Sequence, residues 1–129
     1  MSWELVEVRE LREGRYMNID DEPCQILSIS TSKPGKHGEA KARIEAVGIF
    51  DNSKRSVVYP VKHKVQVPII DKRQGQVIAA TGGNEIQVMD LETYETFQLT
   101  IPDEFKEKLT PGKDIQYMVT MGRKKITRA

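Results

Sequence analysis

Apolar and polar residues alternate with a period of two through most of this chain, in short runs divided by turn residues. That is the signature of strands with one buried face. Ala40-Lys41-Ala42-Arg43-Ile44-Glu45-Ala46 is the clearest run, and segments 24–30, 56–59, 64–67, 76–79, 85–89, 96–99 and 114–119 read the same way. Asp20-Asp21-Glu22-Pro23, Gly82-Gly83-Asn84 and Pro111-Gly112 fall between candidate strands, where Gly and Asn supply positive φ and Pro fixes φ. One segment departs from the pattern. In 102–109, Pro and acids open the run and Phe105 and Leu109 lie four apart, which predicts a two-turn helix ended by Thr110-Pro111-Gly112. The expected fold class is all-β and mostly antiparallel, with one short helix.

The 129 residues suffice for one ordinary domain or two small ones. Pro68 is awkward inside a central strand and separates two series of strands, so we expect units at 1–69 and 70–129. Each half then has the size of a small closed barrel, and one continuous β-sandwich is the alternative. No stretch approaches the roughly 20 apolar residues of a membrane span. The acidic start, Trp3-Glu4-Leu5-Val6-Glu7, is unlike a signal peptide, so a cytoplasmic location is expected. Cys24 alone forms no internal disulfide and is expected to be a buried apolar residue. With His37 and His63 as the only histidines, no structural zinc site is expected.

Twenty Lys and Arg against 19 Asp and Glu leave a net charge of only +1. That average conceals a patchwork. Residues 1–30 and 65–120 each carry net −4, whereas 31–64 carry +5 and the last nine residues +4. Such segregation bears on partners rather than fold.

The positive block contains the segment that interrupts the strand pattern, Ser30-Thr31-Ser32-Lys33-Pro34-Gly35-Lys36-His37-Gly38-Glu39-Ala40-Lys41. Glycine on both sides of Lys36-His37 predicts a turn with Lys36 projecting into solvent. An arm tipped by a cation, with Lys33 and Lys41 near, suits insertion among phosphates. A phosphate-binding P-loop would need Gly at 30 and Ser or Thr at 37, where the chain has Ser30 and His37. Catalysis by Lys36 and His37 would need a desolvated pocket, which a glycine-flanked tip does not supply.

These twelve residues, followed by Val47-Gly48-Ile49-Phe50, resemble the modification loop of the hypusine-containing translation factors, the initiation factor 5A family related to bacterial elongation factor P. Segments 6–16, 67–70 and 89–97 and Met121-Gly122-Arg123 resemble its archaeal members, so the likeness spans essentially the whole chain. The resemblance implies an SH3-like β-barrel carrying the loop 30–41, then an OB-fold, with no enzymatic activity, no small-molecule substrate and no membrane partner. It implies that Lys36 is the modified residue: deoxyhypusine synthase, using NAD and spermidine, transfers an aminobutyl group to its ε-nitrogen, and some organisms hydroxylate the product to hypusine. Apart from this covalent group no cofactor is implied. Lys33, Gly35, His37, Gly38 and Lys41 match motif positions around Lys36. Position 39 is Glu where eukaryotic relatives often carry His.

The implied partners are the ribosome at its exit site and peptidyl-tRNA, and the implied role is to assist peptide-bond formation at slow sequences such as polyproline, and termination. On the residues themselves, Lys41 and Arg43 share one strand face, and with Lys54, Arg55, Lys62 and Lys64 are candidates to hold flanking phosphates. Trp3, Tyr94 and Phe97 are candidates for base stacking, with core packing the stronger expectation for Phe97. The competing reading is an unmodified OB-fold RNA-binding protein or RNA chaperone.

Overall fold

The alternating runs form β-strands in two units, Met1–Ile69 and Ile70–Ala129, of a computed structural model that describes residues 3–33 and 39–129. In the first unit, β1 (Trp3–Glu7) pairs antiparallel with β6 (Lys64–Pro68). Strands β2 (Tyr16–Ile19), β3 (Glu22–Ser32), β4 (Lys41–Gly48) and β5 (Lys54–Pro60) form a second antiparallel sheet in that order. Pro68 pairs only with Trp3, at a sheet edge where its missing N–H costs no ladder bond. Asp20 and Asp21, at φ 53° and 63°, make the tight turn from β2 to β3, and Glu22 and Pro23 already belong to the strand.

The two sheets close around Val8, Met17, Ile26, Ile44, Ala46 and Val65 as an SH3-like barrel. Ile44 is fully buried, and burial of such a side chain contributes about 2 kcal/mol. A bulge at Leu27 shifts the register of β3 against β4, so that Cys24 and Ile26 face the core before it and Ile29 after it. Ser28, Ser30 and Ser32 consequently turn outward, opposite Glu45, Arg43 and Lys41.

In the second unit, β7 (Asp71–Gly82), β8 (Glu85–Asp90), β9 (Thr96–Thr100), β10 (Asp114–Thr120) and β11 (Arg123–Arg128) make one antiparallel sheet ordered β11-β10-β7-β8-β9, the OB arrangement. Its core is Val77, Ile86, Val88, Leu99, Leu109, Ile115 and Ile126. The segment expected to be a two-turn helix is instead a 3-10 turn at Asp103–Phe105 followed by further turns. Its bonds, Lys106 N–H to Asp103 C=O at 3.3 Å and Lys108 N–H to Phe105 C=O at 3.0 Å, span three residues. Eight residues between two prolines are too few to repay α-helix nucleation, but Phe105 and Leu109 still dock on the core. Strands β1, β2 and β11 lie outside the runs read from the sequence. In β11 a single apolar residue, Ile126, 1% exposed, sits among Arg123, Lys124, Lys125 and Arg128.

Candidate functional site

Strands β3 and β4 pair up to Ser32 opposite Lys41, and the chain between these two residues holds the segment singled out in the sequence. Pro34, Gly35, Lys36, His37 and Gly38 lie outside the described residues. Of the motif positions that are described, Lys33 and Lys41 are exposed. The Ala40 carbonyl accepts the Val61 N–H at 3.0 Å.

Below this root, register sorts the cations. Lys41 and Arg43 point outward from β4 with Glu45, while Ala42, Ile44 and Ala46 fill the core. Lys54, opposite Val47, belongs to the same outward face. Ser28, Ser30 and Ser32 flank the face on one side, and Ser56, Val58 and Pro60 on the other. Arg43 reaches Glu45 at 3.7 Å with both side chains more than half exposed, a geometry that ties up little of its charge.

Arg55 is different. Adjacent to Lys54 in a strand, it points to the opposite face, across from Ala46, and its guanidinium grips Asp51 through Nη1–Oδ1 at 3.1 Å and Nη2–Oδ2 at 2.8 Å. The structure therefore does not bring Arg55 to the face of Lys41, Arg43 and Lys54. Asp51 also accepts the Ser53 N–H at 3.0 Å, and Arg55 is the main reason its carboxyl is held down at about 2. Gly48 makes this possible, since a β-carbon there would overlap the Asp51 carboxylate and lie 2.8 Å from Arg55 Nη1. Cys24 is fully buried, as its sequence setting implied, and burial pushes its thiol up. Lys62 and Lys64 are exposed around the turn at the root of the segment.

In the second unit the barrel interior changes character along its length. Beyond the apolar core, a cavity of about 190 Å³ is lined by Arg73, Asp90, Phe97, Tyr117 and Lys124 with the acids Asp71 and Glu95. Asp90, 2% exposed, accepts from Arg73 Nε at 2.6 Å, from the Tyr117 hydroxyl, and from the Glu92 and Thr93 N–H groups at 2.8 and 2.9 Å. These bonds, led by Arg73, hold its carboxyl far below the usual range. Gly75 admits this packing, because a β-carbon would come within 2.8 Å of Val88 Cγ1. Phe97 packs against the core, 5.1 Å from Tyr117 between centroids, with the Lys124 ammonium 4.8 Å over its ring.

Phe97 is thus an interior residue and not a surface stacking platform. The outward face of β7 to β10 instead carries Gln74, Gln76, Gln87, Gln98 and Gln116, without an aromatic side chain. Tyr94 is 70% exposed and Trp3 half-buried opposite Pro68. Among the described residues no group of three His, Cys, Asp or Glu could hold a metal ion, and no helix is long and apolar enough to cross a membrane.

Both halves match family models. Residues 4–63 match the translation initiation factor 5A-like N-terminal domain, and residues 69–129 the domain described as eukaryotic elongation factor 5A hypusine, DNA-binding OB fold. Translation initiation factor 5A of Archaeoglobus fulgidus is 59% identical over 123 residues, 95% of each chain, and that of Thermoplasma acidophilum is 59% identical over 126 residues, 98% of this chain and 97% of its own. The chain belongs to the translation initiation factor 5A family. Solved structures agree. The factor from Methanococcus jannaschii superposes with a TM-score of 0.91 at 50% identity, covering 98% of this chain and 94% of that one. A factor 5A family protein from Naegleria fowleri gives 0.82 at 31% identity, covering 99% and 98%.

As a member of the factor 5A family the chain is a translation factor. The Asp51–Arg55 clamp, the Asp90 network and a stacked pair, Tyr59 and His63, were not found from the sequence. Their partners are separated by turns or by whole strands, and alternation reports only which face a residue takes. Asp90-Leu91-Glu92-Thr93 does carry the local signal of a side chain capping its own turn.

Proposed function

We propose that this chain is a translation elongation factor that acts on the ribosome beside peptidyl-tRNA, in the cytoplasm, through a hypusine or deoxyhypusine side chain on Lys36. The observation that carries the reading is the cationic root of the segment bearing Lys36. Two long paired strands lead into it, Lys33 is exposed at its start, and Lys41, Arg43 and Lys54 line one outward face beneath it. Membership of the factor 5A family supports the same reading.

The chemistry of the modification fits an arm of this kind. Deoxyhypusine synthase would join the aminobutyl group of spermidine to the Lys36 ε-nitrogen, breaking the C–N bond to the rest of spermidine, which leaves as diaminopropane. The new four-carbon amine roughly doubles the reach of the side chain and leaves two protonatable nitrogens in place of one. A cationic probe held among tRNA phosphates favours the geometry of peptide-bond formation by positioning alone, and such positioning can remove several kcal/mol from a barrier. The ribosome performs the reaction, and the factor contributes no acid, base or nucleophile.

The test is translation of a polyproline reporter with modified protein, unmodified protein and Lys36→Ala. Rescue by the modified protein alone is expected, together with an intact mass showing one aminobutyl addition at Lys36 in protein from its native host. Equal rescue by all three would refute the proposal.

A further inference from the structure

Beside the start of β4 the rings of Tyr59 and His63 stack, with centroids 4.6 Å apart and planes 16° from parallel. Tyr59 lies on the inner face of β5 opposite Ala42 and packs against the first core. His63 is exposed, so with one ring face on Tyr59 it offers the other outward. The turn beneath it is fixed by three backbone bonds. His63 N–H donates to Pro60 C=O at 3.0 Å, His63 C=O accepts from Val8 N–H at 2.8 Å, and Val61 C=O accepts from Arg9 N–H at 2.9 Å.

The charges around this ring are mainly positive. Lys62 and Lys64 flank it in sequence, and Lys41 stands opposite Pro60 at the start of the turn. Among the described residues none of the three makes an ion pair. Of the nearby acids, Glu7 Oε2 pairs with Arg9 Nη2 at 2.8 Å and Glu10 Oε2 accepts the Glu7 N–H at 2.8 Å, while Glu39 is exposed two residues before Lys41. Tyr94, the other exposed ring among the described residues, lacks this setting, since Glu92 and Glu95 stand beside it and would repel phosphate.

A flat ring on a hydrogen-bonded turn, with exposed Lys62 and Lys64 next to it in the chain, has both parts that single-stranded nucleic acid requires: a face for a base and cations for the adjoining phosphates. We propose that Tyr59 and His63 form a nucleobase-stacking site for single-stranded RNA, with Lys41, Lys62 and Lys64 holding the flanking phosphates. The inference rests on the reading that the first unit meets RNA, and it adds a contact that does not depend on the modification of Lys36.

The test is fluorescence anisotropy of the full unmodified chain with oligoadenylate and oligouridylate of about ten nucleotides at low salt. The wild type should prefer adenylate, whose base stacks more strongly. His63→Ala should weaken binding about tenfold with no change in the salt dependence, and His63→Phe, which keeps a ring there, should retain affinity. Replacing Lys62 and Lys64 together by Gln should instead lower the slope of log affinity against log salt by about 1.4. Thermal melts of each variant separate a lost stack from a lost fold, and the double lysine variant alters only exposed side chains. Wild-type affinity in folded His63→Ala, or an unchanged slope in the double variant, overturns the site. Absence of any binding by wild type overturns it too, whereas the polyproline result with Lys36 stands or falls separately.

Discussion

Arg73 and Asp90 hold each other through two hydrogen bonds inside the second barrel, Nε to Oδ2 at 2.6 Å and Nη2 to Oδ1 at 3.1 Å. The pair joins β7 to the end of β8, and the same carboxylate organises the turn that follows. Asp90→Asn should therefore cost about 2 kcal/mol, because it removes the buried anion of the guanidinium and leaves it only the exposed carboxylates of Asp71 at 3.2 Å and Glu92 at 3.3 Å. Tyr117→Phe removes only one donor and should cost about 1 kcal/mol. Urea unfolding measures both, and an Asp90→Asn loss below about 0.5 kcal/mol would mean the pair behaves as an ordinary surface one.

Stability should depend on pH at both extremes. Asp51 is held at about 2 by Arg55, below the roughly 3.9 of an unfolded Asp, so its contribution is complete above about pH 4 and is lost as pH falls toward 2. Asp90, held lower still by Arg73, extends the loss to more acid pH. Tyr117 is pushed up to about 12, chiefly by burial and then by Asp90, so its contribution is complete below about pH 10 and is lost between 10 and 12. Urea midpoints in each window check these signs. An Asp51→Asn variant with the same acid slope as wild type would remove the first assignment.

Gly48→Ala should destabilise the first unit by about 1–3 kcal/mol, since the new methyl occupies the space of the Asp51 carboxylate. The cost should fall sharply in an Asp51→Ala background, where that space is empty. A double-mutant cycle reads the coupling, and additive costs would show that Gly48 serves some other purpose.

Cys24 should be inert toward thiol reagents in the native protein. Its thiol is fully buried, donates to the Glu22 carbonyl at 3.3 Å and is pushed up by burial, so little thiolate forms. Alkylation followed by mass should proceed only as denaturant opens the first unit, and prompt labelling in buffer would contradict the burial of this side chain.

Alternation in the sequence was enough to place eight of the strands and, outside the bulged β3, most of their buried faces, because a strand's two faces follow directly from its period. It misjudged 102–109, where the spacing of Phe105 and Leu109 fits either a helix or a run of 3-10 turns, and chain length decided between them. It also grouped Arg55 with Lys54, although neighbours in a strand take opposite faces.

By itself the sequence determined an all-β chain, the concentration of positive charge in residues 31–64 and, by resemblance, the factor 5A family. Tertiary structure decided what local pattern leaves open. Strict alternation through Cys24-Gln25-Ile26-Leu27-Ser28-Ile29-Ser30 would send Ser28 and Ser30 into the core, and the bulge at Leu27 reverses the parity so that both face outward beside Arg43 and Glu45. That bulge exists because β3 must match β4, whose Ala42, Ile44 and Ala46 already claim the interior. The same reason separates Arg55 from the cationic face and brings His63 onto Tyr59. Period fixes a face within one strand, whereas register across strands and turns fixes which side chains meet.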